Sequence, residues 1–146
     1  MMDFKVEYRV GVQATPERIW SFIADLPSWN DWNPVETQVE GAIAFGGQVI
    51  LTEAVEGMPE RRFTARVGDW QPNAQLVWIE KRGLWFGVVR YYEIQELGPE
   101  NCIFANGMIF SGLRGEGFYE KHRKHLKPAV TLIGEALKTV SEAPGA

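Results

Sequence analysis

The sequence holds a single cysteine, Cys102, in 146 residues. That excludes an internal disulfide and a cysteine-rich metal centre, and leaves Cys102 as a small apolar or edge residue in a strand. Histidine is nearly as scarce. His122 and His125 are the only two, and neither belongs to a His-x-His or carboxylate cluster at ligand spacing. No metal and no cofactor is expected. No apolar run approaches the ~20 residues that span a bilayer, and the opening MMDFKVEYRV lacks a signal-peptide core. A cytoplasmic, reducing setting without stable membrane insertion is the expectation. Nor is there a cationic excess: 15 Lys and Arg stand against 19 Asp and Glu, a formal net charge of -4. That argues against a nucleic-acid partner. A phosphate loop, a Gly-x-Ser-x-Gly turn and a Cys–His pair are all missing. Without repeats, low-complexity tracts or long linkers, residues 1–146 read as one domain.

What the chain does have is periodicity and aromatic rings. Between Phe118 and Val140, Leu126, Val130, Ile133, Leu137 and Val140 recur at spacings of four and three, the period of one buried helix face. A helix of about two dozen residues spans ~35 Å. Pro128 falls inside it and predicts a kink, or a short first segment. At the other end Phe4, Val6, Tyr8, Val10 and Val12 alternate with polar residues and Gly11, as a half-buried strand does. Thr15-Pro16-Glu17 then starts a helix: an N-cap, a proline at the first helical position and an acid in the first turn. Ile19, Trp20 and Ile23 form its buried face, and Leu26-Pro27 closes it. A short helix or turn carries Ser28–Pro34, where Trp29 and Trp32 are expected to fix the corner against a sheet.

Strands fill the middle. Val35–Val39 is short. Val49, Leu51 and Val55 share a face with Glu53; Phe63, Ala65 and Val67 align on the next strand, and Leu76 and Trp78 mark the inner side of the one after. Residues 84–97 place Val88, Arg90, Tyr92 and Ile94 on one side. Gly98-Pro99-Glu100-Asn101 turns that strand into Ile103–Ser111, which carries Phe104, Asn106, Met108 and Phe110 on one face. Gly112–Gly117 reads as a flexible lead into the last helix. Strands joined by short turns make an antiparallel meander, and a meander curled around a long helix encloses a space.

This order resembles the SRPBCC superfamily of START-related helix-grip proteins, in its polyketide cyclase/dehydrase-like branch. The resemblance is carried by Ala14-Thr15-Pro16-Glu17-Arg18-Ile19-Trp20, Trp29, Trp32-Asn33-Pro34, Phe63-Thr64-Ala65-Arg66-Val67, Leu76-Val77-Trp78, Tyr92-Glu93-Ile94 and Phe110-Ser111-Gly112-Leu113. It implies an α+β fold. About seven antiparallel strands would grip the C-terminal helix, with two short helices after the first strand and a deep apolar cavity between sheet and helix. Members bind lipids, sterols, quinones, polyketides or plant hormones, and a minority catalyse cyclisation or dehydration. Many relatives carry an acid two residues before the Phe of Phe-Ser-Gly. Met108 stands there in this chain, which weakens an acid–base role at that spot.

Several side chains are candidates for chemistry, each with a plainer reading beside it. Glu53 shares a parity with Val49 and Leu51 and, if inward, is a candidate catalytic acid or base; solvation at the strand's end is preferred, since carboxylates are seldom buried. Arg90 can fork onto a carboxylate or phosphate head at a cavity mouth, or form an internal salt bridge, with Glu53 as one partner. Asn106 can orient a ligand carbonyl or hydroxyl, or be satisfied structurally. His122 lies four residues before Leu126, on the buried face, as a catalytic or ligand-donor candidate; a structural role is preferred. Trp78, Trp85 and Phe86 line a cavity or pack a core equally well. The basic run Lys121–Lys127 attracts an acidic membrane surface, yet reads as a solvated helix face unless an apolar patch lies alongside.

The reading that follows is a carrier or binder of an apolar small molecule. Its ligand-binding residues would be Trp78, Arg90, Tyr92, Asn106, Met108, Phe110, His122 and Leu126, with the Gly57-Met58-Pro59 turn and the Gly112–Gly117 hinge gating access. A cyclase or dehydratase using Glu53 or His122 is the rival, and a protein-interaction module with a filled core a third reading. No acid–base pair is specific enough to identify an enzyme, and the oligomeric state is not legible.

Overall fold

Alternating polarity and short turns make each strand fold back on its predecessor. The computed structural model describes residues 4–144. The chain runs β1 (Phe4–Val12), α1 (Pro16–Ala24), a 3-10 turn (Leu26–Ser28), α2 (Trp29–Trp32), β2 (Glu36–Gly41), β3 (Gln48–Glu53), β4 (Arg61–Gln71), β5 (Gln75–Gly83), β6 (Phe86–Gly98), β7 (Asn101–Ser111) and α3 (Gly115–Glu142). The seven strands form one antiparallel sheet in the order β1-β7-β6-β5-β4-β3-β2. The first strand thus pairs with the last, and the two helices between β1 and β2 carry the chain to the opposite edge. This is the helix-grip architecture expected: a curved sheet wrapped on α3.

The cap of α1 forms as the sequence predicts, Thr15 Oγ1 accepting from Arg18 N at 3.1 Å. Arg18 then reaches across to the end of α3, donating to the carbonyls of Ser141 (2.6 Å) and Ala143 (2.9 Å). A cation there satisfies carbonyls that the helix leaves unpaired and complements its negative end. Leu126, Ala129, Val130, Ile133 and Leu137 of α3 are buried against the sheet, while Val140 is half-buried. The helix begins at Gly115, inside the stretch expected to be a flexible lead, because Gly112 turns the chain at φ +88°. It runs through Pro128 without a break, so no separate first segment exists. Pro128 sits on the exposed side, where the carbonyl it leaves free faces water.

The parity assigned to β3–β7 holds throughout. Val49, Leu51, Phe63, Ala65, Val67, Leu76, Trp78, Val88, Tyr92, Ile94, Phe104, Met108 and Phe110 form one core with the inner face of α3. Trp78, Tyr92, Met108, Phe110 and Leu126 each expose 3% or less. Side chains around an open void would expose surface into it, so these five pack against one another in this structure, and a guest reaches them only as that packing opens. β2 departs from simple alternation. Gln38 adopts φ +53°, and the register against β3 shifts between Thr37 and Glu40. This bulge sets both Glu36 and Val39, three residues apart, facing inward.

Candidate functional site

At the β2–β5 end of the inner face the apolar core gives way to charge. Arg90, 2% exposed, donates from Nη2 to Glu53 Oε2 and from Nη1 to Glu80 Oε1, both at 2.7 Å. Its Nε lies 3.7 Å from Glu36 Oε2, and its guanidinium sits 4.4 Å from the Phe63 ring centroid. Arg61, on the neighbouring strand, forks onto Glu80 at 2.8 and 3.1 Å and lies 3.5 Å from Glu53. Tyr92 Oη donates to Glu36 Oε1 at 2.7 Å. Asn33 Oδ1 accepts from the backbone N–H of Val35 and Glu36 and fixes the start of β2.

These environments set the carboxyls apart. Burial raises Glu36 further than Arg90 and Tyr92 lower it, and the group is pushed up to about 7. For Glu80 burial acts upward too, but the bonds from Arg61 and Arg90 outweigh it and hold the carboxyl below its usual range. Burial alone would lower Arg90; Glu53, Glu80 and Glu36 around it drive it up instead and keep it charged. At neutral pH Glu36 is therefore able both to take and to give a proton.

Some donors here lack partners. Trp32 Nε1, Asn33 Nδ2, Trp78 Nε1 and Arg90 Nε are buried without a hydrogen-bond acceptor among the described residues. Two of them, Trp32 and Trp78, belong to one aromatic cluster, in which Trp29 packs on Trp32, Trp78 and Tyr92 at ring separations of 5.5, 5.4 and 5.1 Å. Buried donors normally find partners.

Beside the cluster a groove of about 540 Å³ opens between the α2–β2 connection, the β3–β4 turn and the middle of α3. Pro34, Val35, Ala54, Pro128, Ala129 and Leu132 supply its apolar lining, and Glu56, Lys124 and His125 its polar rim. Val35 and Ala54 directly adjoin Glu36 and Glu53 in the chain and are tied together, Ala54 N donating to Val35 O at 2.8 Å. Gly57, at φ +90°, presses on the His125 ring so closely that a Cβ would collide with it. The turn bearing Met58 thus closes down on α3.

Against the expectations, Glu53 is not a solvated strand end. Its parity puts it among the core strands, where Arg90 and Arg61 hold it. Arg90 takes the internal-salt-bridge alternative, and Asn106 the structural one, its Nδ2 donating to Val130 O at 3.0 Å to tie β7 to α3. His122 lies outside the core. It is half-buried against Phe118, ring centroids 4.5 Å apart, and Phe118 in turn packs on Phe86 and Phe110 of the sheet. Burial, Lys121, His125 and Arg82 all lower its pKa. Trp85 is 57% exposed in the β5–β6 turn rather than inward. Glu36, Glu80 and Arg61 escaped the sequence reading. Extending the parity of Leu76 and Trp78, or of Phe63, finds Glu80 and Arg61; nothing in the local pattern announces the bulge that turns Glu36 inward. Among the described residues no group of His, Cys, Asp and Glu can hold a metal ion, and no helix is long and apolar enough to cross a membrane.

Residues 3–142 match the family profile described as polyketide cyclase / dehydrase and lipid transport. The chain belongs to that family. Its fold recurs in a START superfamily protein from Mycobacterium smegmatis (20% identity, 94% of this chain and 97% of that one, TM-score 0.71). It recurs in the Zhui aromatase/cyclase from a Streptomyces species (19% identity, 97% and 98%, TM-score 0.68). It recurs also in norcoclaurine synthase from Thalictrum flavum, solved in complex with dopamine and hydroxybenzaldehyde (11% identity, 99% and 90%, TM-score 0.71). At these identities the likeness is one of fold. No curated protein sequence matches the chain.

Proposed function

We propose that this family member binds an apolar small molecule bearing carbonyl or hydroxyl oxygens, such as a polyketide, a quinone or an oxygenated lipid. The guest enters by the groove over Val35 and Ala54 and reaches the aromatic cluster as the Gly57–Pro59 turn lifts. The observation that carries this reading is the pair of buried indole donors, Trp32 Nε1 and Trp78 Nε1, without protein acceptors. Apolar burial, at about 25 cal/mol per Å², supplies affinity, and the donors select oxygenated guests over plain hydrocarbon. Thermal shift and calorimetry with aromatic polyketides, quinones and fatty acids test it. Trp78→Phe and Trp32→Phe keep a ring and delete the N–H, and each should weaken the bound guest about five- to tenfold. Unchanged affinity in both removes the donors from recognition and defeats the proposal.

A second reading is favoured by Glu36, poised near 7 and hydrogen-bonded to Tyr92. In it Glu36 takes a proton α to a guest's carbonyl. The freed electron pair forms the new double bond as a β-hydroxyl departs, and the hydroxyl leaves as water with a returned proton. Glu36→Gln keeps an oxygen for Tyr92 and removes the base. Binding with loss of turnover supports catalysis; unchanged turnover excludes Glu36.

A further inference from the structure

The end of the molecule where the β5–β6 and β7–α3 turns meet displays three large apolar side chains, Leu84 (81% exposed), Trp85 (57%) and Leu113 (82%). The two turns are joined. Arg114 N donates to Trp85 O at 3.1 Å, and Gly112 lies so tightly on the Trp85 carbonyl that no Cβ fits there. Joined turns hold the three side chains as one patch, not as scattered surface residues. Behind it lies a groove of about 490 Å³ whose charged lining is all cationic or titratable to cation: Arg82, Arg114, Lys121 and His122. Arg82 is held over Phe118 at 4.5 Å and Phe86 at 5.2 Å, and its nearest acid, Glu80 at 3.8 Å, belongs to the buried cluster. Lys81 stands beside it in the chain. No acid occurs between Lys81 and Arg90 or between Ser111 and Gly115. Glu116 and Glu120 follow on α3, but at ~100° per residue they point away from the face of Phe118 and Lys121. Lys121 lies six residues, ~9 Å along the helix, from Gly115. That is about one Debye length from the tip at physiological salt. In a chain of net charge -4, the cations Lys81, Arg82, Arg114 and Lys121 thus lie near this apolar patch.

We propose that this tip docks on an anionic lipid membrane. Leu84, Trp85 and Leu113 enter the boundary between headgroups and acyl chains, and Lys81, Arg82, Arg114 and Lys121 meet the lipid phosphates. Tryptophan favours that boundary, apolar in its body and polar at its N–H. Basic residues beside an apolar patch are what an interfacial anchor needs. A second copy of the chain is a poorer occupant, because a twofold contact would bring the same cations face to face. The docking does not depend on what the interior binds. Co-sedimentation of the full chain with phosphatidylglycerol-containing and pure phosphatidylcholine vesicles tests it. Binding should require the anionic lipid and weaken with salt. Each cation near such a surface is worth about fivefold, so Lys81→Gln with Arg114→Gln should cost about 25-fold. Trp85→Ser with Leu113→Ser should cost about tenfold or more. Leu97→Ser, an exposed leucine in the β6–β7 hairpin, should change nothing; circular dichroism verifies that all variants fold. No binding to anionic vesicles at low salt overturns the proposal, as does equal binding by the tip variants. A lipid-free dimer abolished by Trp85→Ser, or capture of an acidic polypeptide in place of vesicles, overturns it too.

Discussion

Replacing Arg90 with methionine removes the charge at the centre of the buried cluster while keeping most of the side chain's volume. Two carboxylate bonds of 2.7 Å disappear, and Glu36 loses the cation at 3.7 Å. Glu80 keeps its fork from Arg61, so it stays paired. Glu53 retains only Arg61 at 3.5 Å, and the Glu36 carboxyl only the Tyr92 hydroxyl. Breaking a buried pair by removing one partner costs about 3–5 kcal/mol, which lowers the melting temperature by roughly 10–15 °C in a domain of this size. The loss depends on pH. Glu36, already pushed up to about 7, rises further without Arg90, so the folded state gains a proton that the unfolded state lacks. The defect is therefore largest above pH 7 and shrinks as pH falls toward 5. Urea denaturation of both proteins at pH 5.5 and 8 measures it. A loss under about 1 kcal/mol at pH 8, or one independent of pH, would mean that water screens the cluster and that its charges are not coupled as described.

Other outcomes follow from the same geometry. Glu36 in the wild type has a folded pKa above its unfolded one, so the stability it contributes is complete below about pH 4.5 and lost as pH rises through 7, about 3 kcal/mol in all. Glu36→Gln should abolish that slope in a stability-versus-pH series and be more stable than wild type at pH 8. Gly57→Ala meets both a φ of +90° and the His125 ring; a loss of about 1–2 kcal/mol and faster amide exchange over residues 55–60 are expected by hydrogen-exchange mass spectrometry. Asn106→Leu removes the bond to Val130 O and leaves that carbonyl without its side-chain donor; about 1–3 kcal/mol should be lost, read by thermal unfolding.

Much of the fold was legible because alternation and helical period are local signals. Leu126, Val130, Ile133 and Leu137 announced the inner face of α3, and Trp78, Arg90, Tyr92 and Phe110 fell on the face their parity assigned. The site was legible only in part. Arg90 and Glu53 faced inward on parity, but their pairing depends on β3 and β6 reaching each other across the curved sheet, which spacing does not encode. By itself Glu53 reads as solvated because a lone carboxylate is rarely buried; two arginines change that balance. Glu36 was missed because a bulge at Gln38 reverses the parity of β2. His122 shares the helical phase of Leu126, but phase alone ignores that Phe118, packed on Phe86 and Phe110, fills the inner face at the first turns of α3. The basic run beginning at Lys121 gains an apolar neighbour only when two distant turns join at Trp85 and Arg114.

The most direct test of ligand binding is native against denaturing mass spectrometry of freshly purified protein, followed by extraction and identification of what is released. One oxygen-bearing apolar molecule per chain, retained by wild type and depleted in Trp78→Phe, is the predicted result. A chain that flies empty under native conditions, and that no aromatic polyketide, quinone or fatty acid stabilises against heat, would contradict it and leave the buried donors without the guest they are taken to read.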